Sequence, residues 1–261
     1  MEKKDQLIFL GTAGARFVVA RQLRSSGGLF LQAGGRKIII DPGPGTLVRC
    51  AEKNSTAATE LETVILTHAH IDHSSDVNVI IDAMTGGGLN KRGELFAPAD
   101  CLEGENAVIL EYLRSFLDRI TLLEESKDYQ CGSLNFSTSI RHNHGVETYG
   151  LQFDLQGLKL SLMVDTRFLP ALIDDYRDSD LLVINTVIKD PPTVDRVKHL
   201  SIPDVCRIVR AIRPQCVILT HFGMSILRAG PDALASQLTV DLGVRVLAAE
   251  DGMEIDLSDI I

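Results

Sequence analysis

The sequence predicts an α/β protein, an αββα sandwich in which two mixed β-sheets pack face to face with helices outside. Three observations carry that expectation. The chain opens as a β-meander, its middle is largely β, and its last third alternates helix and strand. Two β-rich regions, each followed by helices, are what two covered sheets require, although pattern alone leaves their connectivity open.

The elements follow in order. Leu7-Ile8-Phe9-Leu10 is a short apolar strand stopped by Gly11, and segments 28–32 and 37–41 form two strands joined at Gly34-Gly35. The Ile38-Ile39-Ile40 run ends in Asp41-Pro42-Gly43-Pro44-Gly45, a turn-rich loop, after which 46–53 is helical. A strand at 63–67, a helix at 76–84, a Gly-rich loop at 85–93, a strand at 94–97 and a helix at 105–117 come next. Strands are expected at 121–124, 134–141, 148–154 and 159–164, the last pair around a Gly157 turn. The final third reads as strand 181–184, helix 202–212 closed by Pro214, strand 216–220, helix 231–242 and strand 244–248.

With 261 residues and no repeat, linker or low-complexity tract, one domain over 1–261 is expected. Hydrophobic residues at 45% and charged residues at 23% argue against disorder and membrane embedding. A formal net charge of -9 argues against global attraction to nucleic acid or anionic membrane. The start Met1-Glu2-Lys3-Lys4-Asp5 has no apolar leader and no run reaches membrane-spanning length, so a cytoplasmic location is expected. The five cysteines are odd in number and lack a Cys-x-x-Cys pair, which points to packing instead of disulfides or thiolate metal sites.

The chemistry concentrates after the strand at 63–67. His68, His70, Asp72 and His73 fall within six residues where polar side chains emerge at a sheet end. Neutral imidazoles and a carboxylate suit zinc, but one tetrahedral ion cannot comfortably use four groups from so short a segment, so two metals are implied. The other four of the seven histidines stand where strands or helices begin or end. His142 and His144 share Arg141-His142-Asn143-His144, and strand alternation would point both the same way.

Thr67-His68-Ala69-His70-Ile71-Asp72-His73 resembles the His-x-His-x-Asp-His signature of the metallo-β-lactamase superfamily. The likeness covers nearly the whole chain. His144-Gly145-Val146-Glu147-Thr148-Tyr149-Gly150, Val164-Asp165-Thr166 and Leu219-Thr220-His221-Phe222-Gly223 resemble its later ligand motifs, and Asp251-Gly252-Met253 its usual close. The resemblance implies the metallo-β-lactamase fold, with His68, His70 and His144 on one metal, Asp72, His73 and His221 on the other, and Asp165 bridging. It implies a bridging hydroxide as nucleophile, with Asp72 placed to orient it. His144 takes the ligand role over His142 because its distance to Tyr149-Gly150 resembles the spacing in tRNase Z-like members. Two divalent ions are expected, zinc first, with manganese or iron able to fill the same mixed nitrogen and oxygen site.

His199-Leu200-Ser201 resembles the extra histidine motif of the tRNase Z and cyclic-phosphodiesterase branch, where it implies help for the phosphate or the leaving group. Leu10-Gly11-Thr12-Ala13-Gly14 resembles that branch's Gly-Thr-x-Gly opening, although no dinucleotide-type helix pattern follows and it is not read as a phosphate loop. Arg167, and more weakly Arg16, Arg21, Arg24, Lys91 and Arg92, are candidates for positive charge near the pocket. The long-armed tRNase Z enzymes insert a substrate arm between the motifs matching His144 and Asp165, and this chain has only a short strand pair there. A small anionic phosphodiester is therefore the expected substrate. RNA, and with it tRNA 3′ processing, is less favoured. A lactonase, lactamase or thioesterase would use the same ligands on carbonyl centres, and a non-catalytic metal-binding sensor would keep them without turnover. A redox diiron role fits less well, because the related oxygen-reducing members carry Glu where this chain has His70. Related enzymes often dimerise, so a homodimer stays open.

Overall fold

The computed structural model describes residues 4–26, 28–52, 56–155, 157–194 and 196–260. The first sheet has the order β15 (Glu254–Asp256), β1 (Gln6–Phe9), β2 (Leu29–Ala33), β3 (Arg36–Ile40), β4 (Thr63–Ile65), β5 (Glu94–Ala97), β6 (Arg119–Leu122). Pairing is antiparallel from β15 to β3 and parallel from β3 to β6. The second sheet has the order β14 (Arg245–Ala248), β13 (Cys216–Thr220), β11 (Leu181–Ile188), β10 (Leu158–Met163), β9 (Tyr149–Leu155), β8 (Leu134–Arg141), β7 (Asp128–Cys131). A short β12 (Leu200–Ser201) runs parallel to β11. Both sheets are mixed, as the αββα expectation requires.

The central strands are largely apolar because both of their faces are covered. Ile38 and Ile40 point into the core between the sheets, whereas Ile39 points outward under α2 (Thr46–Glu52) and α4 (Val77–Thr85). The second sheet repeats this. Leu181, Val183, Cys216 and Ile218 face the first sheet, while Leu182, Ile184, Val217 and Leu219 face the helical layer of α6 (Ala171–Asp175), α7 (Ile202–Ile212), α8 (Met224–Ala229) and α9 (Pro231–Leu242). At ~25 cal/mol per Å² of apolar surface, these three layers dominate the favourable side of folding.

The expected elements at 134–141, 202–212, 216–220 and 231–242 match β8, α7, β13 and α9 residue for residue. Position 53 of the expected helix at 46–53 lies outside the described residues. The helix expected over 105–117 is a correction: only α5 (Glu111–Arg114) forms. Its upstream backbone is satisfied elsewhere, with Asn78 donating from Nδ2 to the Val108 carbonyl and accepting from the Leu110 N–H, and Val108 and Ile109 donating to Cys101 O. Side-chain and loop partners replace the helical ladder. A second correction is α1 (Ala15–Arg21), a two-turn helix after Gly14 that the sequence pattern did not announce. Cys50, Cys101, Cys131 and Cys216 are buried as free thiols, and Cys206 is half-buried at the margin of the α7 layer.

Candidate metal centre

Both sheets deliver their functional residues to one end. In the first sheet Asp41 follows β3, and His68 and His70 follow β4 and lead into α3 (Ile71–Ser74), a single turn that carries Asp72 and His73. In the second sheet His144 follows β8, Asp165 follows β10, His199 precedes β12 and His221 follows β13. The carboxyl ends of β3, β4, β10 and β13 therefore converge on one site.

Close backbone approach holds these ends together. A Cβ on Gly14 would sit 2.0 Å from the His221 carbonyl oxygen, and one on Gly43 would sit 2.0 Å from the Asp72 carbonyl oxygen. Only glycine fits at either place. The Gly11-Thr12 opening and the Asp251 close are two halves of one fastening. The Asp251 carboxylate accepts from Thr12 N at 2.9 Å, Thr12 Oγ1 at 2.7 Å and Ser25 N at 2.6 Å. That fastening holds the 11–14 turn, whose Ala13 bridges Phe222, against the loop of His221. His221 itself lies at φ +59°, a left-handed conformation unusual for a side chain of its size and of a kind that clusters at functional sites.

Hydrogen bonds behind the histidines aim them. Asp41 accepts from Thr67 N at 2.7 Å and from Thr67 Oγ1 at 2.6 Å, and its Oδ2 lies 3.0 Å from His73 Nδ1. The Thr67 hydroxyl has spent its one proton on Asp41, so at 3.0 Å it accepts from His68 Nδ1. His144 Nδ1 donates to the Lys198 carbonyl at 3.0 Å. All three rings are thereby held with Nε2 turned inward. His68 Nε2, His73 Nε2, His221 Nε2 and His199 Nδ1 are buried without a hydrogen-bond partner among the described residues. Buried polar atoms are rarely orphaned, and several converging at one point fit a cation.

Asp165 stands at the centre. Its Oδ2 lies 3.3 Å from His221 Nε2, 3.4 Å from His144 Nε2, 3.5 Å from His73 Nε2 and 3.7 Å from His199 Nδ1. Asn185 Nδ2 donates to its Oδ1 at 2.9 Å and fixes the carboxylate plane. Asp72 Oδ2 lies 3.8 Å from His221 Nε2 and 3.9 Å from His73 Nε2. The ligand atoms of His68, His70 and His144 fall within 4.8 Å of one another, as do those of Asp72, His73 and His221 and those of His144, Asp165 and His199. The first two trios are those implied by the sequence resemblance, and Asp165 touches members of both. A cavity of about 50 Å³, lined by Asp41, Asp72, His73, Asn185 and His221 among others, opens beneath them with room for water.

The charges are arranged for a cation. Burial pushes His68 well down and lowers His70, His144 and His199, so these rings present neutral nitrogens. His73 is the exception. Burial opposes its proton, but Asp72, Asp165 and Asp41 together hold it well above the usual imidazole range. A bound cation would take the place of that proton. Burial likewise opposes the Asp165 charge, yet the rings of His221 and His199, with His73 close by, hold the carboxyl well below its ordinary range.

The remaining candidates divide. His142 turns away from the cluster, its Nε2 3.0 Å from the Tyr176 hydroxyl, and burial pushes it down to about 4. Arg167 is half-buried, with its backbone N–H donated to Asn143 O on the loop of His144. Lys91 and Arg92 correct the expected positive patch. They precede β5, which runs parallel to β4, so they lie at the sheet end opposite to His68, and Arg92 binds the Thr59 and Leu61 carbonyls there. Arg24 reaches Thr12 Oγ1 at 3.3 Å and supports the fastening, and Arg16 and Arg21 are exposed on α1. Asp41 was missed. It sits in Asp41-Pro42-Gly43, a turn signal, and its own signal, φ +52°, exists only in three dimensions.

A family model described as "Beta-lactamase superfamily domain" matches residues 36–222. The chain is similar to an uncharacterised protein of Methanocaldococcus jannaschii, at 26% identity over 97% of this chain and 95% of that one. It is also similar to ribonuclease Z of Methanopyrus kandleri, at 31% identity over 98% of this chain and 99% of that one. Among solved structures, the metallo-β-lactamase fold protein YhfI from Bacillus subtilis superposes with a TM-score of 0.80 at 17% identity, covering 97% and 99% of the two chains. Fold and site thus define a protein of the metallo-β-lactamase type. The chain belongs to the β-lactamase superfamily domain family.

Proposed function

We propose that this chain, as one domain, is a two-metal hydrolase of small anionic phosphodiesters. The observation that carries the reading is Asp165 Oδ2, a buried carboxylate oxygen within 3.3–3.7 Å of ring nitrogens of His73, His144, His199 and His221. His68, His70 and His144 would hold one ion, Asp72, His73 and His221 the other, and Asp165 both; zinc suits the imidazole-rich set first, with manganese or iron as alternatives. When bound, the ions supply an acidified water and a polarised phosphoryl oxygen.

The chain's own residues do the rest. Asp72, partly open to solvent, accepts a hydrogen bond from the attacking water and so orients it. His199, just before β12, brings its Nδ1 to 3.7 Å from Asp165 Oδ2. Since burial keeps its ring neutral, it stabilises the departing alkoxide by hydrogen bonding. Arg167 stands beside the loop of His144 as a candidate for phosphate contact. Support for a phosphodiester comes from the ribonuclease Z relative. Support for a small one comes from β9 and β10, an antiparallel pair that fills the whole stretch in which long-armed relatives carry their substrate arm. Apart from RNA, a carbonyl-centred substrate is the other outcome that a panel would reveal. Among the described residues no helix is long and apolar enough to cross a membrane.

Metal-loaded protein assayed on cyclic nucleotides, nitrophenyl phosphodiesters, precursor tRNA, lactones and thioesters is expected to turn over the small phosphodiesters fastest. Faster hydrolysis of lactones, thioesters or precursor tRNA would overturn the reading. His199→Ala should slow an ester with a poor leaving group by about 10²-fold and a nitrophenyl ester by much less, because only the former needs help at the alkoxide. Equal losses on both would refute its role.

A further inference from the structure

Beside the centre stands a cation that the proposed mechanism does not use. Lys198 is tied to the site through its backbone, since its carbonyl accepts from His144 Nδ1 at 3.0 Å. Its ammonium folds back along the same loop: Nζ lies 3.7 Å from where a Cβ on Gly145 would stand, one residue beyond His144. Gly145 is exposed and His144 is buried, which places this ammonium at the rim. Among the described residues Nζ makes no hydrogen bond or ion pair, and in particular none with Asp72 or Asp165. The chain carries 35 acidic residues against 26 basic ones, and among the described residues no carboxylate pairs with this ammonium, which leaves it open to an anionic group from outside.

We infer that Lys198 is a specificity-determining residue, binding a second anionic group of the substrate outside the cluster that takes the scissile phosphate. The inference rests on the phosphodiester reading for its substrate class. The ammonium is a compact point charge with rotatable donors, suited to a terminal phosphate or a carboxylate whose position varies. Gly145, at φ +109°, contributes no side chain, so the space between Nζ and solvent stays clear. Arg167, whose backbone N–H donates to Asn143 O, stands against the same loop. Preferred substrates are therefore phosphodiesters that bear a further negative group apart from the scissile link.

Inorganic phosphate and pyrophosphate titrated by calorimetry into the metal-loaded protein test this without turnover. Lys198→Met keeps the stem and the backbone carbonyl. It should leave metal content unchanged and weaken pyrophosphate binding about tenfold, with Lys198→Arg within about threefold of the parent. Pyrophosphate bound equally well by the Met variant would overturn the inference. A kinetic arm compares thymidine 3′-phosphate 5′-(4-nitrophenyl phosphate) with thymidine 5′-(4-nitrophenyl phosphate). The parent should favour the former, and Lys198→Met should erase that preference through KM more than kcat; an intact preference would refute the assignment. If the parent hydrolyses neither ester, the phosphodiester reading fails, and the pyrophosphate titration still decides the role of Lys198.

Discussion

Asp165→Asn is expected to abolish the centre while leaving the fold in place. The substitution preserves shape but exchanges an acceptor-only oxygen for an amide, at the one atom that lies within 3.3–3.7 Å of four ring nitrogens. The native carboxyl is ionised far below its ordinary range because His221 and His199 outweigh the cost of its burial. A neutral amide offers a shared cation pair no charge, and one rotamer aims N–H donors at lone pairs needed as ligands. Hydrolysis should fall by about 10³-fold or more, with bound metal falling in parallel. Circular dichroism should be unchanged, since Asn185 can still bond the remaining oxygen. Near-native activity in this variant would remove Asp165 from the centre.

Asp41→Ala is the second large effect, and it separates positioning from ligation. Asp41 is buried and accepts from Thr67 N, Thr67 Oγ1 and His73. Its removal strands buried donors at about 1–3 kcal/mol each, so the melting temperature should drop. It also frees His73 to rotate and lets Thr67 turn its hydroxyl proton toward His68, which unsettles both Nε2 directions. Metal affinity measured against a competing chelator should weaken about 10–100-fold. Asp41→Asn, which keeps one acceptor oxygen, should recover part of the stability and less of the affinity. An affinity unchanged in the Ala variant would mean that the histidines are aimed by other contacts.

The difference between these two aspartates marks what the sequence discloses. The place of Asp165 in the cluster was legible because it follows an apolar strand within a recognisable order of candidate ligands, and that of His68, His70, Asp72 and His73 because four ligand-type residues in six positions have no packing explanation. Asp41 was not legible. Its loop is 26 residues upstream of Thr67, and only the parallel pairing of β3 with β4 brings the two together. The fold divides in the same way. Central strands such as β13, apolar up to its final Thr220, announce themselves, and so does α7, whose start is marked by the Ser201-Asp204 capping box. The region 105–117 misled because its helical spacing of apolar residues is real, yet Asn78 and Cys101 take up the backbone groups that a helix would need. Lys91 and Arg92 misled because proximity in sequence to a site says nothing of which end of a parallel strand a residue occupies.

The central claim is that two cations share Asp165. The most direct measurement is the metal-to-protein ratio by inductively coupled plasma mass spectrometry, after loading with zinc and exhaustive dialysis. Two ions per chain are predicted for the parent, with a fall toward one when His70 is replaced by Ala. A parent that retains one ion or none, with all seven proposed ligands intact, would contradict the account.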